Sequence, residues 1–105
     1  MNKIGELQAR FSDLLNYDSD DITSAIDPLT WCSPEGDTCL HYAAMRGDEQ
    51  AVRLLIGLGV DPNQRGDMSR TALHYARLNG HSAVADTLID CGADESAIDE
   101  FGNHA

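Results

Sequence analysis

Apolar residues fall on helical spacing in several stretches of the chain, and polar or glycine-containing breaks separate them. Leu40, Ala43 and Ala44 lie on one face of a predicted helix, and Val52, Leu55 and Ile56 form the stripe of a second. Gly59-Val60-Asp61-Pro62 ends that second helix and starts an extended segment. Nearer the start, Ile4, Leu7, Phe11, Leu14 and Leu15 recur at i, i+3, i+7, i+10 and i+11, a further helical stripe. A short helix is expected from about Asp20 to Ile26, with Ser19 or Asp20 as its cap and Asp27-Pro28 as its stop.

The pattern then repeats. Thr38, Leu40, His41, Tyr42, Ala43 and Gly47 are echoed by Thr71, Leu73, His74, Tyr75, Ala76 and Gly80, each pair 33 residues apart. The echo runs on through Leu55 and Leu88, Ile56 and Ile89, Gly59 and Gly92, and Asp61 and Asp94. A fixed period without slippage marks one supersecondary unit repeated in tandem. Thr38 and Thr71 suit N-caps, because a short hydroxyl side chain can accept from an orphan N–H of the first turn. Gly47 and Gly80 suit a helix C-terminus that needs positive φ. The small alanines allow neighbouring helices to approach closely. No single unit buries its apolar face alone, so stability must come from stacking.

Thr38-Cys39-Leu40-His41-x-Ala43-Ala44 followed by Gly59-Val60-Asp61-Pro62-Asn63 resembles the signature of an ankyrin repeat, and Thr71-Ala72-Leu73-His74-x-Ala76 with Gly92-Ala93-Asp94 resembles it again. The resemblance covers about Asp27 to Ala105. It departs from the family pattern where Cys39 and Ala72 replace the motif proline and Ser69 replaces the hairpin glycine. It implies an all-α solenoid of stacked antiparallel helix pairs with β-hairpin-like fingers. The expected divisions are an N-terminal capping repeat over 1–28, full repeats over 29–61 and 62–94, and a partial finger over 95–105. It also implies that His41 and His74 are structural, bonding around the threonine cap.

Ile98 to Ala105 reads as the finger opening a third repeat. Between the two copies Ala44 becomes Arg77, Leu54 becomes Thr87 and Gly57 becomes Asp90. These polar changes are expected on a face turned to water, so the chain is expected to be complete and self-capped, the alternative being an open end that pairs with itself or a partner.

Composition narrows the function. The 105 residues are the length of one small domain. No apolar run is long enough to cross a membrane, and the first ten residues do not read as a signal peptide. Cys32, Cys39 and Cys91 have no metal-ligand spacing and are expected as reduced thiols in a cytoplasmic protein. The net charge of −11 disfavours nucleic acid and anionic membranes and favours a basic protein partner. Residues 1–37 carry −6, residues 38–80 carry +1 with five arginines, and residues 81–105 carry −6. Two acidic ends around an arginine-bearing middle form a pattern a partner could read.

No Ser-His-Asp order, phosphate loop or nucleophile motif occurs. No catalytic residue, cofactor or metal is expected, and Cys39 with His41 is the one pairing from which a thiol or metal-dependent enzyme could be built. Binding is the remaining function. The resemblance implies a concave surface of finger tips and first helices, which places Glu35, Asp37, Met45 and Arg46 there from the first repeat. Asp67, Met68, Arg70, Leu78 and Asn79 are expected there from the second, and Glu100 and Phe101 from the last finger. Trp31 is included as an aromatic anchor, with packing beneath the N-terminal helices as its other reading. Met68 and Phe101 have the weakest structural reason to be apolar. The expected function is a non-enzymatic protein-binding module, an acidic adaptor or an inhibitor of the immunity-protein type, monomeric or weakly dimeric. The alternative is a fragment or self-associating unit of a larger scaffold.

Overall fold

The computed structural model describes residues 3–14, 16 and 25–105. Five α-helices are present among them: α1 Lys3–Arg10, α2 Cys39–Arg46, α3 Glu49–Gly57, α4 Ala72–Leu78 and α5 Ser82–Asp90. Helices α2 and α3 form one antiparallel pair and α4 and α5 the next. α2 packs on α4, α3 packs on α5, and α1 lies against α3. The described residues hold no strand, and two isolated antiparallel bridges, Cys32 with Thr38 and Ile98 with His104, close the first and last fingers. The expected all-α stack is the architecture observed.

Local chemistry sets the helix ends. Thr71 N–H donates to His74 Nδ1 at 3.0 Å, while Thr71 Oγ1 accepts from His74 N–H at 3.5 Å. Thr38 N–H donates to His41 Nδ1 at 2.9 Å in the same way. The far side of each ring reaches the next finger: His41 Nε2 lies 2.8 Å from the Gln64 carbonyl and His74 Nε2 lies 2.9 Å from that of Asn103. Each histidine therefore ties a helix start to the following unit. Gly47, with φ of 73°, ends α2. Asp48 caps α3 by accepting from Ala51 N–H. At the same point in the next unit His81 makes no such cap and turns instead to the Met45 carbonyl at 3.1 Å.

The core runs the length of the stack. Leu7 and Phe11 enter from the N-terminal segment, Leu40, Val52 and Leu55 from the first pair, and Leu73, Val84 and Leu88 from the second. Ala43, Ala44, Ala51, Ala72 and Ala76 are buried between the helices, where a larger side chain would hold them apart. Of the N-terminal stripe, Leu14 is half-buried against this core and Leu15 lies outside the described residues. The helix expected from Asp20 to Ile26 also falls outside them, save Ala25 and Ile26, which are not helical.

One expectation about the last pair is corrected. Thr87 does not face outward. It is buried, and its hydroxyl donates to Glu49 Oε1 on α3 and to its own helix at the Ala83 carbonyl, each at 3.0 Å. The polar change from Leu54 serves the joint between α5 and α3. Arg77 and Asp90 are exposed as expected.

Candidate functional site

Three fingers carry many of the residues expected to bind a partner, and they share one backbone frame. In the first, Ser33 N–H donates to the Asp37 carbonyl; in the second, Gly66 to Arg70; in the third, Asp99 to Asn103, all at 2.8 to 3.0 Å. The tips between these bonds hold Glu35, then Asp67 and Met68, then Glu100 and Phe101. Glu100 N–H donates to the Met68 carbonyl at 2.9 Å, which joins the second tip to the third.

Two apolar side chains stand out at these tips. Phe101 is 64% exposed and Met68 is 39% exposed. The Arg70 guanidinium carbon lies 6.0 Å from the centre of the Phe101 ring, a cation–π approach. Arg70 Nε sits 3.5 Å from the buried Asp99 carboxylate, held there by charge without a hydrogen bond. Accepting N–H bonds from Asn103 and Phe101 holds Asp99 below the usual carboxylate range. Met68 and Ser69 both adopt φ of 57°, the left-handed region that β-carbon sterics disfavour.

The first helices contribute less. Leu78 is 63% exposed at the end of α4, and Asn79 is exposed beside it while its side chain donates to the Tyr75 carbonyl. Met45 is half-buried. Arg46 is exposed but engaged: it grips Asp13 at 2.6 and 3.2 Å and lies over the rings of Phe11 and Tyr42. Asp67 is half-buried.

Two expected surface residues are buried. Trp31 is 7% exposed, with its ring 5.6 Å from that of Tyr42 in an edge-on arrangement, so it is part of the core and not an anchor. Asp37 turns inward, where its Oδ1 accepts from the Tyr75 hydroxyl at 2.8 Å and from Asp67 N–H at 2.9 Å. Burial and this bond push the Tyr75 phenol above its usual range. The period held the clue to Asp37. Ser33 and Asp99 have side chains that accept from residues of their own finger, but Gly66 at the same point has none. Asp37 instead reaches across and accepts from the adjacent Asp67 N–H.

The arginines do not form a free positive surface. Arg10 pairs with Asp48, Arg46 with Asp13, Arg53 with Glu49, Arg70 with Asp99 and Arg77 with Glu95, while Arg65 donates to the Ser69 and Ile98 carbonyls. Among the described residues no ion pair reaches Glu35, Asp67 or Glu100.

Chemistry at Cys39 and His41 is poorly served. Burial pushes the Cys39 thiol up to about 12, so it stays protonated at neutral pH and is no nucleophile. Burial also lowers the His41 pKa. Among the described residues no three His, Cys, Asp or Glu side chains are grouped to hold a metal, and no helix is long and apolar enough to cross a membrane.

A family model described as ankyrin repeats, in three copies, matches residues 11–99. No curated protein matches the chain. The match spans most of the sequence, and the chain belongs to the ankyrin-repeat family, whose members are typically protein-interaction modules without enzymatic activity.

Proposed function

We propose that this ankyrin-repeat protein is an acidic adaptor or inhibitor that captures a basic protein through its finger tips and the adjoining concave face. The observation that carries this reading is the contrast in pairing among the described residues: all six arginines are engaged within the chain, while the tip carboxylates Glu35, Asp67 and Glu100 meet no cation there. Exposed Met68 and Phe101 sit beside two of those carboxylates. Apolar anchors ringed by charge are the composition of an interaction hot spot and its rim. The excess of negative charge would speed encounter with a cationic partner and repel nucleic acid and anionic lipid. Inhibition in the manner of an immunity protein is the role this charge suits best. The free thiols of Cys32, Cys39 and Cys91 suit the cytoplasm.

Affinity capture from source lysate at low and high salt tests this, with the Asp67→Lys, Glu100→Lys double variant beside an Asp86→Lys, Asp90→Lys control of equal net charge. One basic protein should be captured by the parent and the control, weakened by salt and lost in the tip variant. Equal loss in both variants, or capture indifferent to both, overturns the reading.

A further inference from the structure

The second and third loop segments are clasped together by one side chain. Asn63 Nδ2 donates to the Gly92 carbonyl at 3.1 Å, and Asn63 Oδ1 accepts from Asp94 N–H at 2.7 Å. One period earlier the residues are Thr30, Gly59 and Asp61. Threonine carries a single short hydroxyl in place of the amide's separate donor and acceptor. Among the described residues no hydrogen bond reaches the Gly59 carbonyl or Asp61 N–H. A cavity of about 560 Å³ lies where the clasp is missing, lined by Thr30, Gly59 and Asp61 and walled by Leu29, Trp31 and Val60.

We propose that this cavity is a binding site for a primary carboxamide, presented as an asparagine side chain on a partner segment with apolar neighbours. The structure contains its own template. The Gly59 carbonyl and Asp61 N–H are the counterparts of the two groups that Asn63 satisfies in the next unit, and an asparagine entering from outside would satisfy them in the same way. The apolar walls take the neighbouring side chains. An aspartate lacks the N–H that would meet the Gly59 carbonyl, and the cavity lining sets against it the Asp61 carboxylate, while the Arg65 guanidinium there is committed to the Ser69 and Ile98 carbonyls. None of the tip residues Glu35, Asp67, Met68, Glu100 and Phe101 lines the cavity, so the site stands apart from the proposed capture of a basic protein and does not depend on it.

The test is titration of the ¹⁵N-labelled full chain with acetyl-Val-Asn-Leu-amide, followed by amide NMR shifts. Saturable shifts are expected at Gly59, Val60 and Asp61. The matching aspartate peptide should bind about tenfold more weakly, the loss of ordinary hydrogen bonds. Thr30→Asn should rebuild the clasp, abolish the shifts and raise the melting temperature. Asn63→Thr should open the equivalent gap and bring a response to Gly92 and Asp94. Absence of saturable shifts, equal response to the aspartate peptide, or binding retained in Thr30→Asn overturns the site. Acetamide matching the peptide in affinity overturns the partner segment as the source of the amide.

Discussion

The middle finger, 66–70, and the last finger, 99–103, share one frame of backbone bonds but are held in it by different groups. The last finger carries its own side-chain acceptor. Asp99 Oδ1 accepts from Phe101 and Asn103 N–H groups, and Gly102 takes the left-handed corner at φ of 82° without cost to a side chain. The middle finger has glycine where the acceptor should be and serine where the glycine should be. Asp37 of the preceding finger accepts from its Asp67 N–H, and its strained Met68-Ser69 corner is fixed by Glu100 N–H on the Met68 carbonyl and Arg65 on the Ser69 carbonyl. Repetition thus conserves a shape while its supports migrate from local side chains to neighbouring units. A finger held from outside presents Met68 only when the whole stack is assembled.

The most damaging way to break this contrast is Gly66→Ala. A β-carbon there would stand 2.3 Å from Asp37 Oδ1 and 3.1 Å from the His41 ring, and the buried carboxylate could move away only by giving up its bonds to the Tyr75 hydroxyl and Asp67 N–H. We expect a loss of about 3 kcal/mol in urea denaturation, the scale of overpacking plus a broken buried bond. Gly102→Ala meets no atom within 4 Å and should cost only about 1 kcal/mol for its positive φ. Equal losses for the two would erase the distinction between the fingers.

Asp37→Ala removes the acceptor shared by Tyr75 and Asp67 and should cost about 2 kcal/mol. Hydrogen exchange should then speed at Asp67 while Phe101 and Asn103 stay protected. Faster exchange in both fingers would show that they are not independently held.

Ser69→Gly sharpens the comparison in the other direction. Relief of the left-handed serine stabilises the fold, while the freer glycine stabilises the unfolded chain, leaving a net gain of about 0.5 kcal/mol. A loss would mean that the corner is not strained.

Acid is the mildest probe. Burial lowers the folded-state pKa of His41, against the opposing pull of the Gln64 carbonyl and the Asp37 charge. The unfolded chain therefore binds the proton more readily. The stability this histidine contributes is complete above its unfolded value of about 6.5 and is lost as pH falls below it. The urea midpoint should decline between pH 7 and 5, and a flat profile would place a charged imidazole in the fold. At lower pH the depressed carboxyls of Glu49, Asp94 and Asp99 should extend the decline.

The sequence by itself determined the stack. A fixed period, threonine caps, terminal glycines and apolar stripes are each local signals, and helix pairs with one buried face have no other way to satisfy them. It also marked Phe101 and Met68 as exposed, because no face of the repeat asked for an apolar side chain there. Tertiary structure alone decided the direction of Trp31, Asp37 and Thr87: Trp31 answers to the Tyr42 ring across its own repeat, while Asp37 and Thr87 answer to groups in another unit, the Asp67 N–H and the Glu49 carboxylate. It also decided the fate of the charges. Net charge is a sum over the chain, but which carboxylates remain free depends on which arginines fold within reach of them. The gap beside Thr30 belongs to the same class, because a missing clasp is visible only against the clasp that Asn63 makes.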